Sequence, residues 1–194
     1  CQKIFSSYHY LGPLREEPRR YIIFDEEDVD IGNKGENAAL KFIQEKEKSA
    51  SEYYRLKKKG GIQKFRKRNL KFETIFENWC EILGLKPIKI EPIVKKQKNI
   101  YQIYQQYKNP STNRIRDDNI SDIGFGISQV YPILIQGLAM KKGETLILEQ
   151  PEIHLHPKMQ MDLADFFISL GLSGKNMIVE THSEYFILRI VRKI

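Results

Sequence analysis

The chain has 194 residues, a formal net charge of +7 and a hydrophobic fraction of 41%. These values predict a globular protein with a sizeable core and favour an anionic partner. No run approaches the roughly 18 apolar residues of a membrane span, so the sequence gives no sign of a membrane partner. The start lacks a signal-peptide pattern, and Cys1 and Cys80 have no metal-type spacing. We therefore expect free thiols and a cytoplasmic location.

Both ends of the sequence resemble internal positions of a longer chain. The first residue is Cys1 and not methionine, and the last residues, 187–192, form an apolar and basic segment. We expect a piece of a longer protein.

The first 40 residues predict turns, a short strand and the start of a helix. Gly12-Pro13 marks a turn, and residues 21–24 form a short apolar run typical of a strand. A second turn over 32–37 precedes a helix that is expected to begin near Asn37. We assign 1–40 to the N-terminal segment of the domain.

Residues 41–95 are predicted to form a charged, mainly helical insertion. Many of its Lys and Arg residues lie around the pair Gly60-Gly61. Such a run is either a solvated, mobile loop or a contact for nucleic acid, because clustered cations release counterions from the phosphates. The residues that would make this contact are Lys57, Lys58, Lys59, Lys64, Arg66, Lys67 and Arg68.

An amphipathic helix is predicted over 70–83, inside this insertion. Its apolar residues recur at three- and one-residue steps along one helical face, and Gly84 can end it. That stripe favours core packing over cofactor binding. Strands are predicted over 86–94 and 100–107, and a turn makes a hairpin with 114–116 plausible.

Residues 96–194 form the third segment and alternate helices with strands. A glycine- and serine-rich loop over 120–129 opens a helix. A buried strand then leads into Glu149, a further helix begins near Pro157, and a strand over 176–180 is followed by Thr181-His182-Ser183. This order predicts an α/β fold with a mainly parallel sheet flanked by helices.

Three polar features of this segment fall at helix starts or strand ends. The loop over 120–129 offers backbone N–H groups and a helix dipole, Glu149 and Gln150 end one strand, and His182 follows another. A nucleotide phosphate with Mg²⁺ would use donors, an acid and a group that positions water. Together they predict a phosphate site.

Residues 120–183 resemble the second half of an ABC-class ATPase head of the RecF, SMC and OLD kind. The stretch 146–151 resembles the Walker B strand, 154–157 the D-loop and 181–183 the switch-histidine loop. Either Phe125-Gly126-Ile127-Ser128-Gln129 or Ser121-Asp122 resembles the signature loop. The sequences GPLR, GNKGEN and EQPEIHLHP are also similar to motifs of bacterial AAA-type ATPases, whereas residues 41–95 have no counterpart in those proteins.

The resemblance implies ATP and Mg²⁺ as ligands, a partial P-loop NTPase fold, and roles by position. Glu149 would hold Mg²⁺, directly or through water, and His182 would contact the γ-phosphate. Gln150 falls where many such heads have the catalytic glutamate. Because a glutamine cannot act as a general base, it would only orient water, with Glu152 as a possible substitute acid.

Such heads pair head to tail, so the resemblance also implies contacts in trans. The signature residues that would contact the ATP of a homodimeric or related partner head are Ser121, Gly124, Gly126, Ser128 and Gln129. His154 and His156 would be D-loop residues. A metal pair formed by these two histidines with Glu152 is a less favoured alternative.

The phosphate-binding pattern GxxxxGK[ST] does not occur in the chain. Residues 171–176, GLSGKN, imitate it with short glycine spacing and without the helix that must follow. We therefore expect the P-loop to lie upstream in a longer protein, and this chain alone to be inactive.

The sequence supports an ATP-hydrolysing ABC-class ATPase in which ATP-dependent dimerisation serves DNA transactions or phage defence. The alternative is a non-hydrolysing module that binds nucleic acid or an effector protein. A third hypothesis is a truncated chain without activity of its own.

Overall fold

The computed structural model describes residues 7–17, 19–23, 29–49, 54–56, 65–67, 70–94, 97–108, 112–119 and 125–193. The strands there are β1 (Tyr8–Leu11), β2 (Tyr21–Ile23), β3 (Tyr54–Leu56), β4 (Phe65–Lys67), β5 (Lys89–Val94), β6 (Gln97–Lys108), β7 (Ile115–Asn119), β8 (Thr145–Glu149) and β9 (Asn176–Glu180). The helices are α1 (Ala38–Glu45), α2 (Phe72–Leu83), α3 (Phe125–Ser128), α4 (Val130–Ala139), α5 (Pro157–Leu172) and α6 (Glu184–Val191).

A parallel sheet with the order β1-β8-β9 carries the candidate site. Its middle strand is β8, where Leu146 and Leu148 are completely buried. The alternate residues of the sheet point to the other face, where Tyr8 and Ile178 are about half exposed. The predicted α/β fold with a parallel sheet and flanking helices is confirmed.

Strand β1 was not predicted from the sequence. It pairs with β8 in parallel register, from Tyr8 opposite Thr145 to Leu11 opposite Leu148. The segment is four residues long and ends just before Gly12, so it lacks the length and apolar continuity that indicate a buried strand. A partner far away in the sequence supplies its hydrogen bonds.

Helices α4 and α5 supply much of the core beside this sheet. Most of α4 is buried, as its sequence VYPILIQGLA predicts. The two helices approach closely at Gly137, where an added Cβ would lie 2.7 Å from Leu170 Cδ1 and 3.0 Å from Phe166 Cζ. A glycine therefore permits the contact.

A second sheet, antiparallel, has the order β2-β6-β5, with β7 also paired to β6. The predicted hairpin after residue 108 is thereby confirmed. Strand β5 lies in the predicted insertion and β6 in the C-terminal segment, yet they pair as neighbours. Strands β3 and β4 form a separate two-stranded ladder.

Helix α2 confirms the apolar stripe that its sequence predicted. Phe72, Ile75, Phe76, Trp79 and Leu83 are all buried, and Gly84 ends the helix in the left-handed conformation with φ 73°. The three segments 1–40, 41–95 and 96–194 contribute to one core cluster. Their division stays a prediction about the organisation of the domain.

Candidate functional site

Two parallel strands bring the predicted catalytic residues to one edge of the sheet. Glu149 is the last residue of β8 and stands opposite Glu180, the last residue of β9. The next residue, Gln150, has a left-handed backbone with φ 42°, and its N–H donates to the Glu180 carbonyl over 2.9 Å. The chain therefore turns sharply where the strand ends, while the polar side chains stay at that edge.

The Glu149 carboxylate has a neighbour that sequence reasoning missed. The Tyr10 hydroxyl donates to Glu149 Oε1 over 2.7 Å. This hydrogen bond, with the nearby negative charges of Glu149 and Glu180, raises the pKa of Tyr10. Register-paired residues of parallel strands lie on one face, so Glu180 adds a second carboxylate beside Glu149.

Glu152 lies in the turn after β8 and contacts the loop 181–183, which the sequence predicts to be the switch-histidine loop. Its side chain is 8% exposed, and its Oε1 accepts the backbone N–H of His182 over 2.7 Å. The His182 side chain itself is exposed. The structure thus brings Glu149, Gln150, Glu152 and His182 together, with Glu152 beneath the loop that carries His182.

A second contact joins the same two loops. Gln160, in the first turns of α5, donates to the Leu155 carbonyl over 2.9 Å and accepts a hydrogen bond from the Ser183 hydroxyl. Ser183 Oγ also accepts the N–H of Phe186 and so caps α6. Gln160 belongs to no motif in the sequence, and only the packing of the two loops reveals it.

The predicted D-loop histidines occupy the turn between β8 and α5. His154 has φ 61°, and His156 is the N-cap of α5, with Nδ1 accepting the Lys158 N–H over 3.3 Å. The carbonyl of His154 lies against α3, which carries predicted signature residues and is called the signature helix below, because a Cβ added at Gly126 would be 2.6 Å from it. This loop is therefore packed against α3 within one chain.

The predicted signature residues divide into two groups. Ser121 and Gly124 lie outside the described residues. Ser128 and Gln129 are 3% and 2% exposed, respectively. Their burial differs from the prediction that both contact the ATP of a partner, because Ser128 ends α3, Gln129 follows it as the N-cap of α4, and both lie in the interior of this chain.

Gln129 is engaged with Arg15 of the GPLR segment. Its Oε1 accepts the Arg15 N–H over 2.8 Å, and its Nε2 donates to the Arg15 carbonyl over 3.2 Å. Arg15 Nη2 in turn donates to the Glu149 carbonyl over 3.1 Å. The GPLR segment thereby lies between the signature helix and the end of β8.

The segment 171–176, which imitates the phosphate-binding pattern in sequence, has a different role in the structure. Lys175 Nζ donates to the carbonyls of Gly137 and Leu138, at the end of α4, over 2.7 and 2.9 Å. Burial lowers the pKa of Lys175 to about 8, with Glu144 acting in the opposite direction. Lys175 therefore satisfies carbonyl groups at the C-terminal end of α4.

The predicted nucleic-acid contacts fall mostly beyond what the structure describes. Lys57, Lys58, Lys59, Lys64 and Arg68 are outside the described residues. Arg66 and Lys67 lie in β4, paired with β3. Their proposed role stays a prediction.

Two searches of the described part of the chain were negative. Among the described residues, no group of three His, Cys, Asp or Glu side chains could hold a metal ion. The alternative metal site of His154, His156 and Glu152 is therefore not formed. No helix in the described part of the chain has the length and apolar character needed to cross a membrane.

The solved structures that the chain resembles include one at low sequence identity. The chain is similar to the crystal structure of an SMC head bound to the C-winged helix domain of ScpA, at 13% identity and a TM-score of 0.45. The alignment covers 61% of this chain, and it spans about a third of the SMC head chain, 35%.

Comparison with protein families gives a match over most of the chain. No curated protein matches. The family described as the AAA ATPase domain matches residues 19–187, from just after the GPLR sequence into helix α6. That match includes strands β2 to β9 and the cluster of Glu149, Gln150, Glu152 and His182, and it leaves out β1. The chain therefore belongs to the AAA ATPase domain family.

Proposed function

We propose that this chain is the part of an ABC-class ATPase that carries the Walker B, signature and switch-histidine elements. In the complete protein it would bind and hydrolyse ATP with Mg²⁺ and pair with a second head on ATP. The observation that carries the proposal is the joint placement of Glu149 and the His182 loop at adjacent strand ends, linked by Glu152. Ligands of open α/β sheets bind at such carboxyl ends.

The carboxylates at this edge suit Mg²⁺, because that ion needs few protein ligands. They are too few for a metal that protein side chains alone must hold. Mg²⁺ is usually held by one or two carboxylates, water and substrate phosphates. Glu149 offers a carboxylate whose Oε1 is oriented by Tyr10, and Glu180 is its neighbour on β9. When bound, the ion would neutralise charge on the transferred phosphate.

The remaining residues favour slow hydrolysis. Gln150 can orient water but cannot take its proton, because an amide is not a base at neutral pH. His182 is exposed and can donate to a phosphate oxygen, while its backbone is held by Glu152. We therefore expect the bond-breaking step, and not the binding of ATP, to limit turnover.

The burial of Ser128 bears on which serine would contact ATP in trans. Its side chain is 3% exposed, so it has no access to a partner molecule. We favour the alignment in which Ser121, earlier in the loop, would contact the ATP of the partner.

The test is phosphate release by the full-length protein. Glu149→Gln and His182→Ala should each reduce the rate on the order of a hundredfold, the usual loss when a charge-stabilising group is removed. Glu184→Gln, an exposed carboxylate in the first turn of α6, is the matched control and should keep the wild-type rate. A full-length sequence without any P-loop would contradict the proposal outright.

A second candidate function rests on the net charge of +7 and the basic run between Lys57 and Arg68. In that case the protein would bind nucleic acid, or an effector protein, without turning over ATP. Salt-sensitive DNA binding with no phosphate release would support it. The resemblance to DNA-repair and phage-defence ATPases is compatible with either function.

A further inference from the structure

Arg15 is a cation buried at the centre of the candidate site. Its side chain is 3% exposed, whereas the preceding Leu14 is 60% exposed, so the segment turns the charged residue inward. Burial lowers the pKa of Arg15 to about 10, and the charge of Glu152 opposes that change. A guanidinium in such a position requires compensation from its surroundings.

Only part of that compensation comes from hydrogen bonds. Nη2 donates to the Glu149 carbonyl, but Nε and Nη1 are buried without a hydrogen-bond partner in the described structure. The Glu152 carboxylate also lacks a hydrogen bond. Its Oε1 accepts the His182 N–H, but its Oε2 is buried without a hydrogen-bond partner among the described residues. The two buried groups of opposite charge act on each other electrostatically, since Glu152 raises the pKa of Arg15 and the guanidinium binds the carbonyl of Glu149, three residues before Glu152. Within the described structure their charged atoms form no ion pair within 4.0 Å, so the interaction acts across a short gap.

We propose that Arg15 is a positioning residue whose charge compensates Glu152 and thereby fixes the His182 loop. Glu152 is then a support for that loop and not a substitute general base. Removal of either partner leaves a buried charge without compensation, which is strongly destabilising.

The same residue links this pair to the signature helix. Gln129 binds the backbone N–H and carbonyl of Arg15, and the guanidinium reaches the end of β8. A displacement of the signature helix by a partner would therefore reach His182 through Arg15 and Glu152. This inference rests on the proposed function for the roles of those loops, but the charge pair itself requires no nucleotide.

The test is a double-mutant cycle on the full chain, read by amide hydrogen exchange of His182. Arg15→Met removes the charge and keeps the backbone contacts with Gln129. Glu152→Gln keeps an acceptor for the His182 N–H but removes the negative charge. Each single variant should accelerate exchange at His182 by roughly tenfold, as expected when one member of a coupled pair is lost.

The double variant distinguishes a charge pair from two independent contacts. Arg15→Met with Glu152→Gln leaves no uncompensated charge and should exchange no faster than either single variant, whereas independent effects would multiply to roughly a hundredfold. A multiplied effect would contradict the proposal. Arg15→Lys keeps the charge and should remain nearer to the wild type than Arg15→Met.

Arg19→Met is the matched control, since Arg19 is exposed and pairs with Glu16 on the same segment. It should leave exchange at His182 unchanged, and an equal acceleration would overturn the inference. If Arg15→Met alone fails to fold, folding of the double variant supports the pair and its failure contradicts it. Because no nucleotide is present, the outcome is independent of ATP turnover.

Discussion

At the scale of single residues, Gln150 bears most directly on the proposed hydrolysis of ATP. It follows Glu149 directly, in a left-handed conformation that an L-residue adopts only when its surroundings hold it there. The hydrogen bond from its N–H to the Glu180 carbonyl supplies part of that hold. Its side chain lies at the strand end where the resemblance implies a base, yet it carries no basic group.

Gln150→Glu should therefore increase the rate of ATP hydrolysis by the full-length protein. General-base assistance contributes typically about 10²–10⁴-fold, so we expect a gain of at least roughly a hundredfold. The measurement is phosphate release under saturating ATP and Mg²⁺. The shape of the side chain is nearly unchanged, so the backbone at this turn should tolerate it.

Gln106→Glu is the matched control, because that glutamine is exposed on β6 in the other sheet. It should leave turnover as in the wild type. An unchanged rate in Gln150→Glu would show that the proton acceptor lies elsewhere, and the reading of a glutamine in place of a base would be wrong.

The residues that support the predicted site could not be identified from the sequence. Glu149 and His182 are predictable because each follows an apolar run, and strand ends mark ligand sites. Tyr10, Arg15 and Glu180 were missed, since their roles come from neighbours far along the chain. Arg15, for example, reaches a carbonyl 134 positions away. Spacing patterns carry no information on such contacts.

At the scale of elements, local patterns predicted the helices better than the pairings. The stripe of α2 and its glycine end are local properties, and the structure confirms both. Strand β1 depends on β8 for its hydrogen bonds, so its four residues carried no sufficient signal. The contact between α3 and the His154 turn was likewise invisible, although Gly126 is required by it.

Gly126→Ala tests that contact between elements. An added Cβ would lie 2.6 Å from the His154 carbonyl oxygen and 3.0 Å from His154 Cβ. Because a backbone atom cannot move aside as freely as a side chain, we expect a loss of about 1–3 kcal/mol in the free energy of unfolding. Chemical denaturation at neutral pH would measure it.

Gly171→Ala is the control, with a glycine that also lies in a helix. A Cβ there would meet only Met177 Cε, at 3.7 Å, which is ordinary contact. Alanine favours the helix, so we expect no loss and a gain of up to about 1 kcal/mol. Equal stability of the two variants would mean that α3 does not press against the His154 turn.

At the scale of the whole molecule, aromatic contacts join the predicted insertion to the ATPase segments. Phe42 of α1 packs against Phe76 of α2 at 4.9 Å between ring centroids. Trp79, on the next turn of α2, packs against Phe166 of α5 at 5.1 Å. The series continues through Phe167 to Phe186 of α6, at 5.4 Å. The parts named from charge and resemblance therefore share one core.

A shared core predicts one cooperative unfolding transition for the whole chain. Trp79 is the single tryptophan of the sequence and is completely buried where α2 meets α5. Its fluorescence reports on the packing of the predicted insertion, while far-ultraviolet circular dichroism reports on all helices and strands. In urea, the two signals should change at the same midpoint, as a two-state transition requires.

Phe166→Ala should move both midpoints together, with a loss of about 3–5 kcal/mol in the free energy of unfolding. Leu188→Ala, at a half-exposed position of α6, should cost less than about 0.5 kcal/mol. Two separate midpoints would instead mean that residues 41–95 form an independent unit, because Trp79 would then lose its packing before or after the rest of the chain unfolds.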